Sequence, residues 1–108
     1  MGKHYLLNLY DCPYEILNNE LLLRQIISEA SIACKANLVG IVSKQFHPQG
    51  VTVLGLLSES HISIHTWPEI GSAMADICTC GEARPELGCQ VLINKLEAGS
   101  HKIGQIER

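Results

Sequence analysis

The chain has no run of basic residues, no long apolar segment and no internal repeat. Its 108 residues carry eight Lys and Arg against eleven Asp and Glu, a formal charge of −3 with both signs dispersed. Without a basic patch, nucleic acid and anionic membrane surfaces are excluded as natural partners. Apolar runs stop at three or four residues, as at 21–23 and 91–93, too short for a membrane span or a secretory signal core. No linker or low-complexity tract divides the chain, so a single domain over 1–108 is expected. The five cysteines are odd in number and sparse for a disulfide framework. They predict a reducing, cytoplasmic setting in which most thiols act as small hydrophobes. A domain this small has little stability to spare, so further burial in an oligomer is expected.

What is present is a clear alternation of patterns. Residues 3–11 (KHYLLNLYD) read as a strand and 12–18 as a turn. From about 19 to 36, Leu23, Ile26, Ile27, Ala30, Ala33 and Cys34 recur at helical spacing, with Glu20 in the first turn and Lys35 in the last. Strands follow at 38–46 and 51–58, separated by the turn HPQG. At 61–67 the period is two, with Ile62 and Ile64 on one side and His61, Ser63, His65 and Trp67 on the other. A strand at 72–80 has Ala73, Ala75 and Ile77 on one face. Pro85 opens a second helix that uses Leu87, Val91, Leu92 and Leu96 and ends near Gly99, and a strand at 101–107 closes the chain. The order β-α-β-β-β-β-α-β with short connections predicts an α+β fold: a two-layer sandwich, mainly antiparallel, with two helices on one face of the sheet. The other face must be buried or functional, a second reason to expect a dimer.

The stretch LSESHISIHTWPEIG (57–71) is the anomaly, because hydroxyls, histidines and a glutamate crowd into an otherwise apolar chain. A solvated strand face is one reading, although Trp67 and Pro68 are unusual company for it. A zinc site built from His61, His65, Cys78, Cys80 and Cys89 is another, but residues 61 and 65 of one strand lie about 13 Å apart by rise alone. A serine hydrolase using Ser60 and His65 is a third, without a nucleophile elbow or an orienting acid. In the fourth, the Ser60 hydroxyl attacks its own backbone at Glu59-Ser60, with a nearby base and oxyanion donors among the surrounding groups.

SESHISIHTWPE (58–69) followed by TCG (79–81) closely resembles the bacterial and archaeal S-adenosylmethionine decarboxylases, small pyruvoyl-dependent enzymes of spermidine synthesis. The likeness extends over KHYLLNLYDC, FHPQGVTV (46–53) and the run from Asp76 to Gly81. The resemblance implies self-cleavage between Glu59 and Ser60, giving a β chain of 1–59 and an α chain of 60–108 with a pyruvoyl group derived from Ser60. It implies His65 as the processing histidine, Cys80 as the proton donor after decarboxylation, Thr52 as a processing aid, and Phe46, Trp67 and Glu69 as substrate-binding residues. The pyruvoyl ketone would form a Schiff base with the substrate amine and act as electron sink, with no metal required. Active sites between the two protomers of a homodimer, and S-adenosylmethionine as substrate, belong to the same implication.

Some positions depart from the family pattern. Ile70 and Ser72 stand where aromatics are common, which leaves arginine or ornithine decarboxylation on the same chemistry as an alternative. A non-catalytic regulatory homologue is a second. Thr52 stands where a serine is usual, adding a methyl and a stiff χ1. Thr52→Ser is therefore expected to speed self-cleavage, followed as loss of intact mass with time; a rate no faster than the parent's refutes that expectation.

Overall fold

The computed structural model describes residues 2–108. Six strands form one antiparallel sheet: β1 (Gly2–Tyr10), β2 (Leu38–Gln45), β3 (Val51–Leu57), β4 (His61–Trp67), β5 (Ser72–Cys80) and β6 (Ser100–Glu107), in the order β2-β3-β4-β5-β1-β6. The helices are α1 (Tyr14–Leu17), α2 (Glu20–Ala33) and α3 (Pro85–Lys95). The expected α+β sandwich holds, with one addition: the segment read as a turn at 12–18 contains the single helical turn α1. Asn19 caps α2, its side chain accepting from the Leu22 amide at 3.0 Å. Lys35 lies beyond the end of α2 at φ 60°, not in its last turn.

Helices α2 and α3 pack on one face of the sheet. Leu23, Ile26, Ile27 and Ala30 of α2 meet Leu7, Val53, Ile62, Ile64 and Ile77 from the strands, all fully or nearly buried. In α3 the buried stripe is Pro85, Gly88, Cys89 and Leu92, with Leu96 just past its end. Leu87, expected inside, is exposed, because the stripe returns at 85, 88–89 and 92 and leaves position 87 on the outer side. No helix is long and apolar enough to cross a membrane among the described residues.

The other sheet face carries no helix, and its rows follow from the register. Val42, Leu54, Ser63, Asp76 and Leu6 lie side by side across the sheet. Leu56, His61, Cys78, His4 and Ile106 form the next row, and Lys44, Thr52, His65, Met74 and Asn8 the row on the opposite side. Leu6, Val42, Leu54, Leu56, Met74 and Ile106 are all large apolar residues at least 42% exposed. Scattered singly they would be unremarkable; gathered on one face they make a patch of the kind that marks an interaction surface.

Gly88 sets the closeness of α2 and α3. A Cβ there would stand 2.4 Å from Cys34 Sγ and 2.9 Å from Ile77 Cδ1. Gly88→Ala is expected to destabilise the fold by about 1–3 kcal/mol through overpacking, despite alanine's better helix propensity. Cys34→Ala in the same chain should recover part of the loss, both read from urea midpoints.

Candidate active site

Ser60 ends the short connection between β3 and β4, where the Leu57 amide donates to the Ser60 carbonyl at 2.9 Å. The connection is moored to the loop after α2: the Ser58 amide donates to Asn37 O at 3.1 Å. Cys80, the last residue of β5, lies beside it. Its Sγ is 3.9 Å from Ser60 Oγ, 3.8 Å from the Glu59 carbonyl oxygen and 3.1 Å from Glu59 Oε2. Accepting the thiol proton, the Glu59 carboxylate pushes the Cys80 pKa above the ordinary thiol value. The thiol therefore stays protonated at neutral pH. Lys35, Asn37, Glu59, Ser60, Cys80 and Arg84 border a cavity of about 580 Å³. Burial first, with the negative charge of Glu86 adding to it, raises the thiols of Cys34, to about 11, and Cys89, to about 12, so both are inert core groups at neutral pH.

Thr52, Phe46, Trp67, Glu69 and His65 gather elsewhere, around a cavity of about 370 Å³. Thr52 and His65 are direct cross-strand partners, with Thr52 Oγ1 2.9 Å from His65 Nδ1. Phe46 projects from a loop closed by its own amide donating to Gly50 O at 2.8 Å, with Gly50 at φ 108°, a conformation glycine takes without penalty. Asn18 holds that loop from below, its Oδ1 accepting from the Gly50 amide at 3.0 Å and from Gln45 Nε2 at 2.9 Å.

The structure thus joins Glu59 with Ser60 and Cys80, and Thr52 with His65, Phe46, Trp67 and Glu69, but keeps the two groups apart. Five residue steps of extended chain separate Ser60 from His65, about 17 Å at the usual rise. Within one protomer His65 does not reach Ser60.

Between the groups lies a cluster that the sequence reading passed over. Asp76 Oδ2 accepts from His4 Nε2 at 2.7 Å and from His61 Nε2 at 3.0 Å, while Ser63 donates to Oδ1. Partial burial pushes the Asp76 carboxyl up, but the hydrogen bonds from Ser63, His61 and His4 outweigh it and hold the group below the usual carboxylate range. Those histidine and carboxylate atoms lie within 4.8 Å of one another, a spacing a metal ion can bridge. The surroundings of His4 favour a hydrogen-bond network instead. Arg108 donates to His4 Nδ1 at 3.3 Å, which leaves the ring proton on Nε2, facing Asp76. A histidine that ligates through Nε2 gives its Nδ1–H to an acceptor, and a guanidinium is not one. The signal in the sequence was Asp76 on the outward parity of an otherwise apolar strand; its partner His4 is 72 residues away, visible only through the β1–β5 register.

A family model described as S-adenosylmethionine decarboxylase matches residues 3–108. The S-adenosylmethionine decarboxylase proenzyme of Prochlorococcus marinus (strain MIT 9313) is 46% identical over an alignment of 109 residues that spans all of this chain and 87% of that protein. The proenzyme of Methanococcus aeolicus is 42% identical, spanning all of this chain and 93% of its own. Among solved structures, the adenosylmethionine decarboxylase of Aquifex aeolicus superposes with a TM-score of 0.93 at 30% identity, over all of this chain and 90% of that one. A Trypanosoma brucei AdoMetDC, with a TM-score of 0.67 and 12% identity over 94% of this chain and 44% of that one, shares the fold. These relatives lend no support to the arginine or ornithine alternative, or to a non-catalytic homologue. Matched from end to end in sequence and in structure, the chain belongs to the S-adenosylmethionine decarboxylase family.

Proposed function

We propose that this chain is a proenzyme that cuts itself between Glu59 and Ser60 and then decarboxylates S-adenosylmethionine to the aminopropyl donor of spermidine synthesis. The observation that carries this reading is the Cys80 thiol lying 3.9 Å from Ser60 Oγ and 3.8 Å from the Glu59 carbonyl oxygen, in a tight hairpin connection. In cleavage, Ser60 Oγ attacks the Glu59 carbonyl carbon and the Glu59–Ser60 C–N bond breaks, leaving an ester and a free amine. Loss of the Ser60 Cα proton then expels the Glu59 carboxylate, and the dehydroalanine that remains takes up water and releases ammonia. The pyruvoyl group so formed supplies a carbonyl electron sink for the leaving carboxylate of the substrate. Cys80 holds at Sγ the proton that replaces the lost carboxylate on the substrate carbon. Phe46 and Trp67 offer ring faces to a purine, and Glu69 offers a carboxylate to sugar hydroxyls. Free cysteines at all five positions support a reducing, cytoplasmic setting.

The functional unit in this reading is a homodimer with the two open sheet faces together. A two-fold axis parallel to the sheets and perpendicular to the strands reverses strand direction between copies. It brings the Ser60 and Cys80 end of one protomer over the Thr52 and His65 end of its partner. The apolar patch of Leu6, Val42, Leu54, Leu56, Met74 and Ile106 supplies the buried area. The partner's His65 then serves as the base that Ser60 lacks in its own protomer.

The intact mass of the purified protein under denaturing conditions is expected to resolve into two chains joined in sequence at Glu59 and position 60; a single uncut chain refutes the proenzyme reading. Parallel assays of CO2 release should favour S-adenosylmethionine over arginine and ornithine. Ser60→Ala and His65→Ala are each expected to be inactive alone. Refolded together as a one-to-one mixture they should regain about one quarter of parental activity, since half the dimers are mixed and each has one complete site of two. Absence of recovery, with mixed dimers present, refutes the shared site.

A further inference from the structure

We propose that Asp76 is a positioning residue that grips His61, the first residue beyond Ser60, and so keeps the pyruvoyl end of the α chain docked at Cys80 after the chain is cut. The inference rests on the self-cleavage reading. Before cleavage Ser60 is tethered from both sides. Afterwards it is a chain terminus, and termini fray unless they are tied down.

Three ties are visible. The Leu57 amide donates to Ser60 O at 2.9 Å. His61 sits in the ladder between Leu56 and Cys78. The His61 ring meets Asp76 Oδ2 at 3.0 Å. Of these, only the last uses a side chain, and it adds a hold on the ring to the ladder register that turns His61 to the open face. Asp76 is suited to the task because it is itself immobilised. Ser63 donates to its other carboxylate oxygen, and His4, oriented by Arg108, donates to the same one. Asp76 and Cys80 also lie on one face of β5, either side of Cys78, which is the ladder partner of His61. The anchor and the thiol therefore belong to one rigid strand, and the distance from position 60 to Sγ is set through it. His4 lies in the β chain, whereas Asp76, His61 and Ser63 lie in the α chain, so the same carboxylate also links the two products of cleavage.

The test compares Asp76→Asn in the cut enzyme and in the uncut Ser60→Ala chain, with amide hydrogen exchange at 61–63 read by mass spectrometry. Exchange is expected to rise about tenfold in the cut enzyme and less than about twofold in the uncut chain. Decarboxylation should lose about 10–100-fold in kcat with KM within about threefold, while the rate of self-cleavage stays within about threefold of the parent's. A rise in exchange that is equal in both backgrounds, or an unchanged kcat, overturns the proposal and leaves Asp76 a general structural residue. His61→Ala breaks the same contact from an exposed position and takes the place of Asp76→Asn if that variant does not fold. If the parent itself is not cut, the proenzyme reading fails and this inference falls with it. If the parent is cut and both variants behave like it, only the inference fails.

Discussion

Everything in this molecule depends on the two-residue alternation of β4. The register Gly55↔Ile62 and Val53↔Ile64 sends both isoleucines under the helices and His61, Ser63 and His65 to the open face. A slip of one residue would exchange the two sets. It would expose two isoleucines, each stabilising by about 1.5–3 kcal/mol when buried, and press imidazoles into an apolar core. Gly55 helps to pin this register. A Cβ there would meet Ile27 Cγ2 at 2.9 Å, so only a residue without one lets α2 settle on β3 at that point.

The open face has to satisfy two demands that usually conflict. Its apolar rim favours burial, while its centre carries His4, His61, Ser63, His65 and Asp76. The conflict is resolved inside the protomer. Asp76 collects the hydrogen bonds of three neighbours and Thr52 engages His65. No buried side-chain nitrogen or oxygen among the described residues lacks a partner. A polar centre whose groups are already paired can be covered by a second sheet without the desolvation penalty that orphaned groups would bring.

Much of this was legible in the sequence, and the reasons differ by element. Helix α2 and the β4 alternation were readable because each buries one regular face, and periodicity reports that directly. Helix α3 was found, but Leu87 was misjudged, since a stripe running through Pro85, Gly88 and Cys89 hides its apolar character in small residues. The candidate site residues came from three short motifs, FHPQGVTV, SESHISIHTWPE and TCG. Their division into two distant groups did not, although strand rise applied to Ser60 and His65 would have revealed it. The Asp76 cluster was out of reach for another reason. It joins β1, β4 and β5, and no local pattern states that β1, first in the chain, lies beside β5.

Glu59 raises a final question of order. Its carboxylate sits on the Cys80 thiol in the uncut chain and shares a cavity with Lys35 and Arg84. Any substrate that is to receive a proton from Sγ must displace it. The proposed cleavage would make this possible, because Glu59 would then end the β chain and no longer be bonded to position 60. The new terminal carboxylate of the proposed β chain would carry further negative charge in the same cavity, where Lys35 also lies and Arg84 is already paired with Glu86 at 2.6 Å. Once Glu59 withdraws, the thiol loses the contact that does most to raise its pKa. In the proposed mechanism the proton that Cys80 delivers is screened by Glu59 in the uncut chain. On that proposal cleavage changes access to it, so one broken bond would both create the electron sink and uncover the acid that works beside it.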